Sequence, residues 1–138
     1  MTKREIELIE NSWGVVLFNE QKAGELFYKK LFEFEPSLRH MFQDDLKVQS
    51  QKFVAMITFV VHKLNTLDQI IADVTSLGES HKRYGVMPRH YEIAGLALMH
   101  ALEEIAQPNW NDEVKAAWAK IYSILSKAMM ENIPVTIL

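Results

Sequence analysis

From Ile6 to Met129 the apolar residues recur at three- and four-residue steps, and no stretch alternates with the period of two that a half-buried strand requires. Such a chain folds as helices that each bury one apolar stripe against the others. Ile6, Ile9, Trp13 and Val16 mark a first helix, opened by Thr2 and Glu5 as a capping box. Leu26, Phe27, Leu31 and Phe32 mark a second, which Pro36 ends or bends before a short helical turn runs to Phe42. Gln43, Asp44 and Asp45 form a polar break. Either aspartate can cap the long helix that carries Phe53, Met56, Ile57, Val60 and Leu64. Asn65 and Thr66 interrupt that pattern, and Ile70, Ile71, Val74 and Leu77 mark a shorter helix whose last turn Gly78 is expected to loosen. Pro88 suits the first turn of the next helix, with Tyr91, Ile93, Leu96 and Leu98. Gln107-Pro108-Asn109 closes it, and Asn111 or Asp112 caps the last helix, through Val114, Trp118, Ile121, Leu125 and Met129. The expectation is an all-α chain of about seven to eight helices in one domain, residues 1–138, with 131–138 as a frayed tail.

A chain of 138 residues is long enough to bury about 68% of its unfolded surface. A net charge of −3 gives no basic surface for nucleic acid or an anionic membrane. There is no cysteine, which excludes disulfides, iron–sulfur clusters, thiolate zinc sites and thioether-linked cofactors. Met1 to Glu5 lacks the apolar stretch of a signal peptide. The wholly apolar runs fall far short of the roughly 18 residues that span a bilayer. A cytoplasmic protein is expected.

His81 lies in Leu77-Gly78-Glu79-Ser80-His81-Lys82-Arg83-Tyr84-Gly85-Val86, at the end of an amphipathic segment, and Tyr28, Pro36, Phe42 and Gln49 precede it. A neutral imidazole opposite a phenol and a carboxamide suits a haem iron that binds a diatomic gas. The imidazole supplies a fixed axial bond, and the other two supply hydrogen-bond donors. His62 follows Phe53 by nine residues, which at 100° per residue puts it on the opposite face, toward solvent. His40, His90 and His100 read as surface or satisfied core residues.

Seven or eight helices with Pro36, Phe42 and His81 so placed look like a globin. With Ile9 to Trp13, Phe27 to Pro36, Leu77 to Val86 and Trp118 to Tyr122, the chain resembles bacterial single-domain globins related to neuroglobins and to the globin part of flavohaemoglobins. The resemblance runs from Thr2 to Met130. It implies a non-covalent haem b held by His81, whose other ring nitrogen is oriented by a backbone carbonyl one turn earlier. By the same resemblance Phe42 packs against the porphyrin, Val86 and Ala94 line the haem, and Lys52 reaches a propionate. For the apolar members, plain core packing remains the default reading.

Tyr28 matches the distal phenol of many bacterial globins, and Gln49 stands where neuroglobins have a histidine. A carboxamide is a poor ligand for ferrous iron, so the sixth position is expected to stay open. Phe53, where valine or leucine is commoner, is expected to crowd that pocket, restricting access or pushing Gln49 outward. Tyr91, ten residues after His81, matches the flavohaemoglobin proximal tyrosine, but the glutamate that accompanies it there is replaced by Ile133, and the nearest acid is Glu131. An incomplete proximal push weakens a peroxidase-like reading.

The function implied is reversible, high-affinity binding of oxygen for storage or scavenging, with carbon monoxide and nitric oxide as further ligands. The chain is read first as a binding protein and as a monomer. The alternatives are a nitric oxide dioxygenase served by an external reductase, and a haem-based gas sensor acting through a partner protein.

Overall fold

A computed structural model describes residues 1–42 and 45–131. Its described residues form six α-helices and two 3-10 segments: α1 (Lys3–Leu17), α2 (Glu20–Phe34), Pro36–Met41 as 3-10, α3 (Leu46–His62), Leu64–Ile70 as 3-10, α4 (Ile71–Arg83), α5 (Pro88–Ile105) and α6 (Asp112–Glu131). No strand occurs among the described residues. The all-α expectation holds, and the tail from residue 132, with Gln43 and Asp44, lies outside the described residues.

The caps form where short polar side chains meet unpaired helix N–H groups. Thr2 Oγ1 accepts from the Glu5 N–H at 3.1 Å, and Glu5 Oε1 accepts from the Thr2 N–H at 2.7 Å. Of the two aspartates, the described Asp45 caps α3, accepting from the Val48 N–H at 2.9 Å. Asn111 caps α6 by accepting from the Val114 N–H at 2.9 Å.

Two glycines set how closely helices cross. A Cβ at position 24 would lie 2.7 Å from the Ser50 Cβ, so α2 and α3 meet almost backbone to backbone. A Cβ at position 78 would lie 2.5 Å from the Met129 carbonyl oxygen, so α4 meets α6 the same way. This corrects the expected loosening at Gly78. The helix continues unbroken to Arg83, and the missing side chain makes room for a neighbour.

The α1 helix is pinned from two sides by indoles. Trp118 Nε1 donates to Ser12 Oγ at 2.8 Å, Trp13 Nε1 donates to Thr58 Oγ1 at 3.0 Å, and the two rings lie 5.8 Å apart. Leu96 and Met56, read as members of apolar stripes, are instead exposed, at 57% and 38%. Those stripes are narrower than the apolar pattern suggests. The α2 helix packs on α3 and α5, and α4 packs on α6. The helices that carry Gln49 and His81 have different main neighbours, α2 for α3 and α6 for α4, and both also pack on the 3-10 segment Leu64–Ile70. No helix of the described residues is long and apolar enough to cross a membrane.

Candidate functional site

The close crossing at Gly24 brings Tyr28, one turn later on α2, beside the first turns of α3. Tyr28 is buried, with its ring edge-on to Phe27 at 5.0 Å, Phe42 at 5.3 Å and Phe53 at 5.9 Å. Gln49 Nε2 donates to Tyr28 Oη at 3.1 Å. Burial pushes the phenol pKa up to about 12, opposed by the Gln49 hydrogen bond, so Tyr28 keeps its proton at physiological pH. With a phenol lone pair occupied by Gln49, the O–H remains to donate to a third group, and the amide polarises it for that purpose.

Phe53 does not displace Gln49. Its ring stacks flat on Phe27 at 3.9 Å, which draws it inward, while Gln49 stays half-buried on Tyr28. Behind Phe53 lies an apolar void of about 10 Å³, bounded also by Trp13, Val16, Gly24 and Leu98. That is near the minimum that holds one water, so this side is packed almost solid.

His81 occupies the last turn of α4 and is half-buried. Its Nδ1 lies 3.1 Å from Tyr91 Oη, with the rings 5.8 Å apart. This corrects the expected backbone carbonyl: the phenol of α5 holds this ring nitrogen. Gly85, at φ +89°, reverses the chain after α4, and Pro88 starts α5, which brings Tyr91 back alongside His81. The Tyr91 carbonyl in turn accepts from Tyr122 Oη at 2.5 Å. Burial alone lowers the His81 pKa below the ordinary histidine value, so the ring is neutral. Among the described residues Nε2 has no partner.

Sequence reasoning grouped Phe42, Phe53, Tyr28 and Gln49, and these four are in mutual contact through Tyr28. Val86 is half-buried, and its N–H donates to the His81 carbonyl at 2.9 Å. Ala94 is half-buried on α5, three residues after Tyr91, and packs against the core. Lys52 is exposed, one turn beyond Gln49 on α3. His40, His62 and His100 are exposed, and among the described residues no group of three metal-ligating side chains occurs. Ile133 and the Glu131 side chain lie outside what is described. Sequence reasoning did not single out Phe27, Tyr122 or the buried His90. Phe27 and Tyr122 gave only a helical-stripe signal. His90, third in a helix opened by proline, carried a capping signal.

The donor set fits a haem. One neutral imidazole has its Nδ1 anchored and its Nε2 available, as a haem iron would require, and two uncharged donors sit on separate helices. The globin family profile matches residues 25–129. The chain is 29% identical to an anaerobic nitrite reductase of Gossypium hirsutum, over 93% of this chain and 88% of that protein. It is 25% identical to an anaerobic nitrite reductase of Oryza sativa subsp. indica, over 91% of each. It is 24% identical to the flavohemoprotein of Bacillus subtilis, over 94% of this chain but 33% of that one. Among solved structures, a bacterial globin from Campylobacter jejuni superposes with a TM-score of 0.81 at 22% identity, covering 94% of both chains. A globin of Drosophila melanogaster superposes with a TM-score of 0.87 at 16% identity, covering 96% of this chain and 95% of the other. This chain is a member of the globin family, with the haem cofactor and gas-binding capacity that membership carries in general.

Proposed function

We propose that this globin reversibly binds oxygen, and other diatomic gases, with high affinity at a non-covalent haem b whose axial ligand is His81. The haem supplies the iron that binds the gas. The observation that carries the reading is the Gln49-to-Tyr28 hydrogen bond, which leaves the buried phenol one proton to donate. A ligand that takes on negative charge is stabilised by such a donor much as an oxyanion is. Each charge-assisted bond contributes about 1–3 kcal/mol. Gln49, a carboxamide, would be a poor ligand for ferrous iron and would leave a gas site open. Phe42, Val86 and Ala94 line the haem, and Lys52 serves a propionate. Tyr28, which matches the distal phenol of many bacterial globins, makes the bacterial single-domain globins the subgroup this chain is read as belonging to.

The absorption spectrum of the purified protein, oxidised and then reduced under nitrogen, tests this. A Soret band with one broad visible band on reduction supports an open position beside Gln49. Two sharp visible bands would mean an internal sixth ligand, and no Soret band after adding haemin would end the haem assignment.

Nitric oxide dioxygenation is the second reading, supported by the match to the globin third of a flavohemoprotein and by the Tyr91 contact to His81. It needs electrons from a separate reductase. Consumption of nitric oxide with a surrogate reductase, and nitrate as product, distinguishes this enzyme from a carrier.

A further inference from the structure

Tyr91 follows His81 by ten residues, and three of the hydrogen bonds in that stretch bear on their contact. The Val86 N–H donates to the His81 carbonyl at 2.9 Å. The Met87 N–H donates to His90 Nδ1, also at 2.9 Å. Tyr91 Oη lies 3.1 Å from His81 Nδ1. The middle tie is the one a proton can cut. Met87 precedes α5 and His90 is its third residue, so His90 holds the place that glutamate or glutamine takes in a capping box. It accepts only while Nδ1 is unprotonated, because an imidazolium has no acceptor. Tyr91 is the next residue in the same turn.

We propose that His90 is a positioning residue for His81: its neutral ring closes the first turn of α5 and thereby holds Tyr91 Oη on His81 Nδ1, and protonation of His90 releases that hold. The proposal rests on His81 as the axial ligand, and it adds proton control to that site.

The surroundings of His90 favour the neutral ring. It is 5% exposed, and burial is the main cause of a pKa below the ordinary value. The Arg89 guanidinium in its own turn acts the same way, and Glu35 at the end of α2 opposes both. Glu35 is partly occupied elsewhere, accepting from Ser37 Oγ at 2.6 Å and pairing with Arg89 at 3.5 Å. On α6 the Tyr122 phenol donates to the carbonyl of the adjacent Tyr91. His90 therefore gains its proton only on the acid side of the ordinary histidine range. There it turns an N–H toward the Met87 N–H, and the cap opens.

With Nε2 on iron, His81 Nδ1 carries the proton and donates to Tyr91. A stronger donor bond makes the imidazole a better ligand, so the iron–histidine stretching frequency reads the Tyr91 contact. It is to be measured by resonance Raman on the reduced haem-loaded protein from pH 8 to pH 5, in the unchanged chain, His90→Gln and His90→Ala. Glutamine keeps an acceptor at this helix position and cannot titrate. The unchanged protein is expected to show a fall in frequency below roughly pH 6.5. The His90→Gln variant should hold the neutral value throughout, and His90→Ala should show the acid value at every pH. Exchange of the Met87 amide should quicken roughly fivefold in His90→Ala and not in His90→Gln. A pH-independent frequency in the unchanged protein, or a His90→Gln variant that titrates like it, overturns the proposal. If His90→Ala does not fold, the His90→Gln comparison decides. If the chain takes up no haem, the proposed function fails separately. The Tyr91 Cζ NMR shift then replaces the Raman frequency: a pH response larger than that of His90→Gln supports the proposal, and identical responses overturn it.

Discussion

The two sides of the candidate site are held by different forces. Tyr28 is fixed largely by packing: the rings of Phe27, Phe42, Phe53 and Phe32 lie 5.0, 5.3, 5.9 and 6.0 Å from its own, where α2 and α3 meet almost backbone to backbone at Gly24. His81 is fixed by polar ties: a phenol on its Nδ1, a backbone bond from Val86, and a reversal through Gly85. Packing has no proton to lose, whereas a hydrogen bond to a ring nitrogen depends on where protons sit. The cluster around Tyr28 is therefore the less sensitive to protons, and the hold on His81 is the adjustable one.

The largest expected effect comes from His81→Ala, which would remove the proposed iron ligand. The variant should lose its Soret absorbance on gel filtration. Retention of haem with a histidine-ligated spectrum would move the ligand to another residue. Tyr28→Phe isolates the packed side. It removes the donated proton and keeps the ring, so oxygen release should quicken roughly 5- to 150-fold, from about 1–3 kcal/mol. Carbon monoxide, less polarised when bound, should leave at nearly the original rate. Equal effects on both gases, read by stopped flow, would make Tyr28 a packing residue only.

Gly78→Ala attacks the frame behind His81. Its methyl group meets the Met129 backbone, which cannot swing away as a side chain can, so about 1–3 kcal/mol of stability should be lost in urea unfolding. Tyr91→Phe is milder. It removes the anchor of His81 Nδ1 and should weaken haem retention roughly tenfold, with oxygen release little changed. If Tyr91→Phe altered oxygen release as much as Tyr28→Phe does, the contrast between the two sides would collapse.

The smallest effect is the pH dependence of stability. His81 and His90 both have folded pKa values below the ordinary histidine value, so on acidification the unfolded chain takes up protons first. Their contribution is fully present above about pH 6.5 and is lost as the pH falls through the folded values. Urea midpoints of the haem-free protein at pH 8, 7, 6 and 5 should fall over the last two steps. A flat series would contradict the burial of both rings.

Much of this architecture is written in local residue patterns. Thr2 with Glu5, Pro36 and Pro88 act within one turn of themselves, so their effect on helix boundaries is readable without neighbours. Tyr28, Phe42, Gln49 and Phe53 were legible as a group through their resemblance to globin positions, and their contacts through Tyr28 follow from one helix crossing. The direction of Phe53 was not legible. An aromatic ring near Gln49 can turn toward the amide or toward the core, and the face of Phe27 decided it.

Helical periodicity, the caps, the absence of cysteine and the family spacing of His81 were determined by the sequence alone, because each depends on residues close along the chain or on composition. Tertiary structure decided the roles of Gly78, Tyr122 and His90, and which atom of His81 Tyr91 meets. Gly78 matters through the Met129 backbone on another helix, and the Tyr122 hydroxyl reaches a carbonyl 31 residues away. Tyr91 replaces the expected carbonyl only because the turn at Gly85 folds α5 back beside α4. A hydrogen bond is specified to within a few tenths of an ångström, and helical spacing places a side chain only to within a face.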